Sequence, residues 1–128
     1  TTDIPGANDA GNIILTQHPE VKKWLVFSMN DEGVLGAVRA MEQVNIPASN
    51  VIGVGIGGSS CLVEFRKPKP TGFYATVLIS PKRHGYETTE HLYKWIKYGT
   101  KPPMRTLTSG ILITRQTYSK IMKEQGLL

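Results

Sequence analysis

Cysteine is almost missing from the 128 residues: Cys61 stands alone, which excludes an internal disulfide and any metal site built from several cysteines. As a lone thiol it reads as a small buried hydrophobe, with a reactive thiol as the alternative. No apolar run approaches the roughly 20 residues that cross a bilayer. The opening TTDIPGANDA has neither the basic start nor the apolar stretch of a signal peptide, as in a mature or truncated start. Charge runs and low-complexity tracts are also lacking. With 40% apolar and 20% charged residues, the composition is that of a soluble globular protein of one domain's size.

Acids are scarce in the second half. Through Val63, three cations face six anions, whereas from Glu64 onward twelve cations face four anions. The net charge of +5 therefore belongs to the later part of the chain. Those cations occur singly or in pairs, without aromatic interleaving or a known reading motif, so a solvated basic face is expected and no nucleic acid partner.

Hydrophobic patterning alternates between two periods. Ala10, Ile13 and Ile14 have near-helical spacing, with Pro5 in a tolerated first-turn position and Pro19 beyond the end. WLVFS (24–28) is a short continuous apolar run, as expected of a strand buried on both faces. A helix follows in which Val34, Leu35, Val38 and Met41 form one stripe, capped by Asn30 or Asp31, with acids in the first turn suiting the helix dipole. VIGVGIG (51–57) predicts a second strand, and a short helix follows Ser59. GFYATVLI (72–79) predicts a third strand. Lys82 to Tyr98 predicts a helix with Leu92, Trp95 and Ile96 packed inward. SGILIT (109–114) predicts a fourth strand, with Thr114 capping a last helix that bears Tyr118, Ile121 and Met122 and stops at Gly126. Strand and helix alternate throughout, so the fold class is α/β, a mostly parallel sheet with helices on both faces.

Gly53-x-Gly55-x-x-Gly58 has the spacing of a dinucleotide fingerprint. In such a fingerprint the glycines lie in the turn between strand and helix, and an acid about 20 residues on binds the ribose. Here Gly53 and Gly55 alternate with strand residues and no acid occurs between Glu64 and Glu87, which favours a strand whose small residues let a helix pack closely. No cofactor is expected. His84, Glu87 and His91 share one helical face, but the two histidines lie roughly 10 Å apart along a helix, too far for one metal. No metal site and no catalytic triad emerge, and nothing argues for an enzyme. In open α/β sheets, ligands sit outside the carboxyl ends of the strands, which selects Ser28–Asp31 and Gly57–Ser60; alternatively both loops are only helix caps.

The wording of several segments carries more. DIPGANDAGN, HPEVKKWLVFSMNDEGVLGAVRA, VIGVGIGG, TGFYATVLISPKRHGYETTEHLYKW and ILITR resemble the carboxyl-terminal portion of bacterial L-arabinose-binding proteins, nearly end to end. The resemblance implies a type I periplasmic-binding-protein fold: two α/β lobes joined by crossovers, with a sugar held between them and delivered to the membrane subunits of an ABC importer. It implies that residues 1–128 are a fragment, a partial carboxyl-terminal lobe that lacks its amino-terminal lobe. Residues 1–78 and 109–128 would form that lobe, and 79–108 would cross over to pack in the other. Leu92, Trp95 and Ile96 would then need another surface, such as a second copy of the chain. The implied location is periplasmic, or extracellular and membrane-anchored in an organism without an outer membrane.

By the same resemblance, Met29 touches the sugar by apolar contact and Asn30 hydrogen-bonds its hydroxyls. The family has asparagine at Gly57 and aspartate at Ser60, both sugar ligands, and both side chains are missing here. That predicts weaker arabinose binding and a preference for a larger sugar, or for an acidic one whose carboxylate meets the amides near Ser59 and Ser60 at a helix start. Two rivals remain: the ligand-sensing domain of a lactose-repressor-like regulator, and a nucleotide-dependent enzyme.

Overall fold

A computed structural model describes residues 2–128. Asp3 caps α1 (Ile4–Gln17) by accepting a hydrogen bond from the Gly6 amide at 2.9 Å, and Pro5 falls in the first turn, where its missing N–H costs nothing. β1 (Trp24–Phe27) leads into α2 (Asp31–Gln43), and β2 (Val51–Gly57) into the four-residue α3 (Leu62–Phe65). β3 (Phe73–Leu78), α4 (Pro81–Tyr98), β4 (Ile111–Thr114) and α5 (Tyr118–Glu124) complete the order. The strands form one sheet in the order β1-β2-β3-β4, in which β1–β2 and β2–β3 pair in parallel and β3–β4 antiparallel. The α/β class and mostly parallel sheet are as expected.

α2 lies on the sheet with its expected stripe: Val34, Leu35, Val38 and Met41 are all buried, against Val51 and Phe73. β2 permits this approach through its small residues. A Cβ on Gly53 would stand 2.6 Å from Val34 Cγ1, and one on Gly55 would stand 2.5 Å from Asp31 Oδ1. Phe65 joins α3 to the same core, with ring centroids 5.7 Å from Phe73 and 5.4 Å from Tyr118.

α1 packs on α2 closely enough to require glycine at position 36, where a Cβ would stand 2.4 Å from the Ile4 carbonyl oxygen. Gly36→Ala is therefore expected to destabilise by about 1–3 kcal/mol, because backbone displacement outweighs the roughly 1 kcal/mol that alanine gains in helix propensity. Gly85→Ala in α4 has nothing within 4 Å of the added carbon and should instead stabilise by about 0.5–1 kcal/mol. Urea unfolding of the two variants checks the opposite signs.

Glu64 is buried at the end of α3, where it accepts from Arg39, from Lys67 Nζ at 3.2 Å and from Thr71 Oγ1 at 2.6 Å. Burial alone would raise its pKa, but hydrogen bonds from Thr71, Lys67 and Arg39, with the charge of Arg39, outweigh burial and hold it below the usual carboxylate range. A lowered folded-state pKa contributes stability that is present above the ordinary value near 4.5 and is lost as pH falls through the folded value. Stability should thus fall on acidification below about pH 4.5, and Glu64→Gln should flatten that acid limb. The same change should cost about 2–3 kcal/mol at neutral pH, less than the loss of a fully buried pair because Arg39 and Lys67 remain about a third exposed. Denaturant melts from pH 3 to 7 test both statements.

Three local expectations differ. WLVFS is not buried on both faces: Leu25 and Phe27 are 67% and 81% exposed, and by register they share an open sheet face with Ile52, Ile56 and Leu112. An almost continuous apolar strand is what two-sided cover selects, and among the described residues only one side has it. Leu92, Trp95 and Ile96 do not pack inward, since α4 has no buried residue and Ile96 is 78% exposed. Thr114 does not cap the last helix. Thr117 occupies the N-cap, and its Oγ1 accepts from the Thr114 amide at 3.0 Å, closing a turn between β4 and α5. Arg115 ties this turn to the core by donating to the carbonyls of Glu64, Lys67 and Lys69.

Candidate functional site

The parallel strands bring two loops together at their carboxyl ends. The first is Ser28–Asn30 after β1 and the second Gly58–Cys61 after β2. Asn30 is the N-cap of α2: its Oδ1 accepts from the Gly33 amide at 2.9 Å, and its Nδ2 donates to the Thr2 carbonyl at 2.8 Å. Capping uses the oxygen and the Thr2 carbonyl takes one of the two amide hydrogens, which leaves one for a ligand. Met29, directly before it, is 74% exposed and presents a bare thioether. Of the two cap alternatives, Asn30 is the one used.

Asp31 is not a cap but the post around which the second loop is wound. It is 2% exposed; its Oδ2 accepts from the amides of Gly58 at 3.0 Å and Cys61 at 3.1 Å, while Oδ1 accepts from Thr76 Oγ1 at 2.6 Å. The wrap demands unusual backbone angles, with φ of 136° at Gly57 and 100° at Gly58, a region that side chains with a Cβ rarely adopt. Gly57 therefore contributes shape rather than a side-chain contact. Cys61 donates from Sγ to the Gly58 carbonyl at 3.3 Å, and burial, aided by the charge of Asp31, pushes its thiol up to about 12. It is the buried, unreactive hydrophobe rather than a nucleophile.

Ser60 Oγ donates to Glu32 Oε1, so the loop after β2 is bonded directly to the first turn of α2. A carboxylate beside Ser60 disfavours an acidic sugar at this loop by like-charge repulsion. The Gly58 and Cys61 amides on either side of Ser59 and Ser60 already donate to Asp31 and are not available to a ligand carboxylate. α3, at four residues, is also too short to supply a useful dipole. The arrangement accepts hydrogen bonds and carries negative charge, which suits a neutral polyhydroxyl ligand. Spacing alone did not reveal Asp31, Glu32 and Thr76, because their partners lie 27 to 45 residues away in sequence.

Other candidates are quiet. Gly53 and Gly55 lie within β2 and face α2 instead of forming a phosphate-binding turn. Glu87 pairs with Arg83 at 2.6 Å on exposed α4, and no group of three metal-ligating side chains occurs among the described residues. Among the described residues no helix is long and apolar enough to cross a membrane.

An α/β sheet with loops gathered at the carboxyl ends of its parallel strands has the edge at which open α/β folds hold ligands. The family of periplasmic binding proteins and sugar binding domains of the LacI family matches residues 1–121, and the chain belongs to that family. It is 48% identical to an L-arabinose-binding periplasmic protein of an ABC transporter from Azospirillum brasilense and 46% identical to the L-arabinose-binding periplasmic protein of Escherichia coli K12, over 99% of this chain in each case. It spans 38% and 39% of those relatives' lengths. Among solved structures, an ABC transporter solute binding protein from Agrobacterium vitis with bound allitol superposes with a TM-score of 0.79 at 21% identity, over 94% of this chain and 41% of that one.

Proposed function

We propose that this chain forms part of the carboxyl-terminal lobe of a longer two-lobed sugar receptor, which captures a neutral monosaccharide without chemistry and passes it to an ABC importer. The observation that carries the reading is the 48% identity to a transport receptor across 99% of the chain, combined with loops that offer hydroxyl-binding groups at the carboxyl edge. Both curated relatives are named for arabinose binding in the periplasm, which favours transport over a lactose-repressor-like sensor and favours a periplasmic location. Met29 and Asn30 would contact the sugar directly, Gly57 would shape the floor, and Ser60 would act through its hydroxyl. The open face bearing Leu25, Phe27 and Ile52 would be covered by the remainder of the same lobe.

A thermal-shift panel on the longer protein tests this reading. A neutral monosaccharide at 100 times its Kd should add about 2.7 kcal/mol of stability, whereas NAD and flavins should add none. Stabilisation by a nucleotide alone would contradict it. Residues 79–108, proposed to pack in the other lobe, should exchange amide hydrogens faster in a monomer of this chain than in the longer protein, while β1 and β2 exchange slowly in both. Equal protection of α4 in the two monomeric samples would refute the crossover assignment. Protection only in a dimer would point to a second copy on Leu92, Trp95 and Ile96.

A further inference from the structure

The first turn of α2 holds two adjacent acids in opposite situations. Asp31 is saturated by the loop it organises, with three hydrogen bonds from Gly58, Cys61 and Thr76. Glu32 is only partly buried and has a single protein partner, the Ser60 hydroxyl on Oε1. Among the described residues it has no ion pair, and its Oε2 accepts no hydrogen bond. It stands two positions after Asn30 and is bonded to Ser60, so its carboxylate bridges the two loops at the carboxyl ends of β1 and β2.

We infer that Glu32 is a specificity-determining ligand residue of this site, accepting hydroxyls of a neutral sugar and rejecting sugars that carry a carboxylate. The inference rests on the sugar-receptor reading. An ionised carboxylate is acceptor-only, with about four lone-pair directions, of which Ser60 occupies one. Sugar hydroxyls are the donors that such a group lacks, and hydrogen bonds from O–H to a carboxylate are among the stronger neutral-to-charged kind. Because Ser60 donates its proton to Glu32, its own oxygen is left to accept from a second ligand hydroxyl. A negatively charged ligand would instead place two like charges together, which is how a site discriminates by repulsion. Glu32 also suits the helix dipole, but that role would show in stability and not in a choice between ligands.

The test uses the longer protein carrying this chain, as wild type, Glu32→Gln and Ser60→Ala, titrated calorimetrically with L-arabinose, D-galactose and D-galacturonate. These sugars share a ring configuration and differ in the substituent at one carbon: hydrogen, hydroxymethyl or carboxylate. Wild type should bind at least one of the two neutral sugars and disfavour galacturonate. Glu32→Gln should weaken the neutral sugars about tenfold or more and narrow the galactose-to-galacturonate preference by a similar factor, with an unchanged unfolding temperature in the absence of sugar. Ser60→Ala should weaken the neutral sugars about fivefold and leave the preference against galacturonate in place. If Glu32→Gln binds all three as wild type does, or loses affinity only in step with a lowered unfolding temperature and an unchanged preference, the role of Glu32 is refuted while the receptor reading stands. If wild type binds neither neutral sugar, or prefers galacturonate, the role of Glu32 is overturned; the receptor reading falls with it only if every other neutral monosaccharide also fails to bind.

Discussion

Asp31→Ala is expected to destabilise this chain by about 3–5 kcal/mol, the largest effect of any single side-chain change in the site. The carboxylate is 2% exposed and receives three hydrogen bonds, from the Gly58 and Cys61 amides and the Thr76 hydroxyl. Each hydrogen bond to a charged group contributes about 1.5–3 kcal/mol, and relief of the carboxylate's own desolvation offsets part of the total. Alanine would also leave three donors buried without acceptors. With a melting shift of roughly 3–5 °C per kcal/mol for a domain of this size, the midpoint should fall by about 10–20 °C. Asp31→Asn should cost less, about 1–2 kcal/mol, because its amide oxygen can take the two backbone N–H groups while its nitrogen donates to Thr76 Oγ1. Chemical unfolding of both variants decides the matter: a loss below 1 kcal/mol for Asp31→Ala would show that the Gly57–Cys61 loop holds its shape without this post.

The second large effect concerns binding by the chain on its own. An enclosed site covers about 70–90% of a small ligand's surface, and this chain supplies one wall of the proposed cleft. Losing the contacts of the other wall should remove about 4 kcal/mol or more, which is on the order of a thousandfold in affinity. Titration of these 128 residues with the neutral monosaccharide that saturates the longer protein should therefore give no measurable heat at micromolar concentrations. Micromolar binding by the chain alone would mean that Met29, Asn30, Glu32 and Ser60 form a self-sufficient pocket.

The α2 stripe was legible because Val34, Leu35, Val38 and Met41 recur at helical spacing and the helix packs on a sheet present in the same chain. The glycines of β2 were legible for a related reason: their alternation with Ile52, Val54 and Ile56 places them on the face that α2 approaches. The apolar run of β1 predicts cover on both faces because it records the burial for which a strand was selected, and one face here remains open. The direction of β4 was not specified, since an apolar strand of four residues pairs equally well either way. In the site, the loops followed from the strand-end rule and the resemblance, but Glu32 read only as a first-turn acid. Its partner Ser60 lies 28 residues on, and no local pattern encodes a contact between two loops that meet only when parallel strands align.

Calorimetric titration of the longer protein with neutral monosaccharides tests the central claim most directly. A sugar-receptor lobe predicts saturable one-to-one binding of at least one pentose or hexose with a micromolar or lower Kd. It also predicts that binding is lost when the Asn30 amide is removed by Asn30→Asp, which turns the proposed hydroxyl-binding donor into a second partly buried carboxylate near Glu32. Absence of binding by every neutral monosaccharide at millimolar concentration, in a protein that melts cooperatively, would contradict the account.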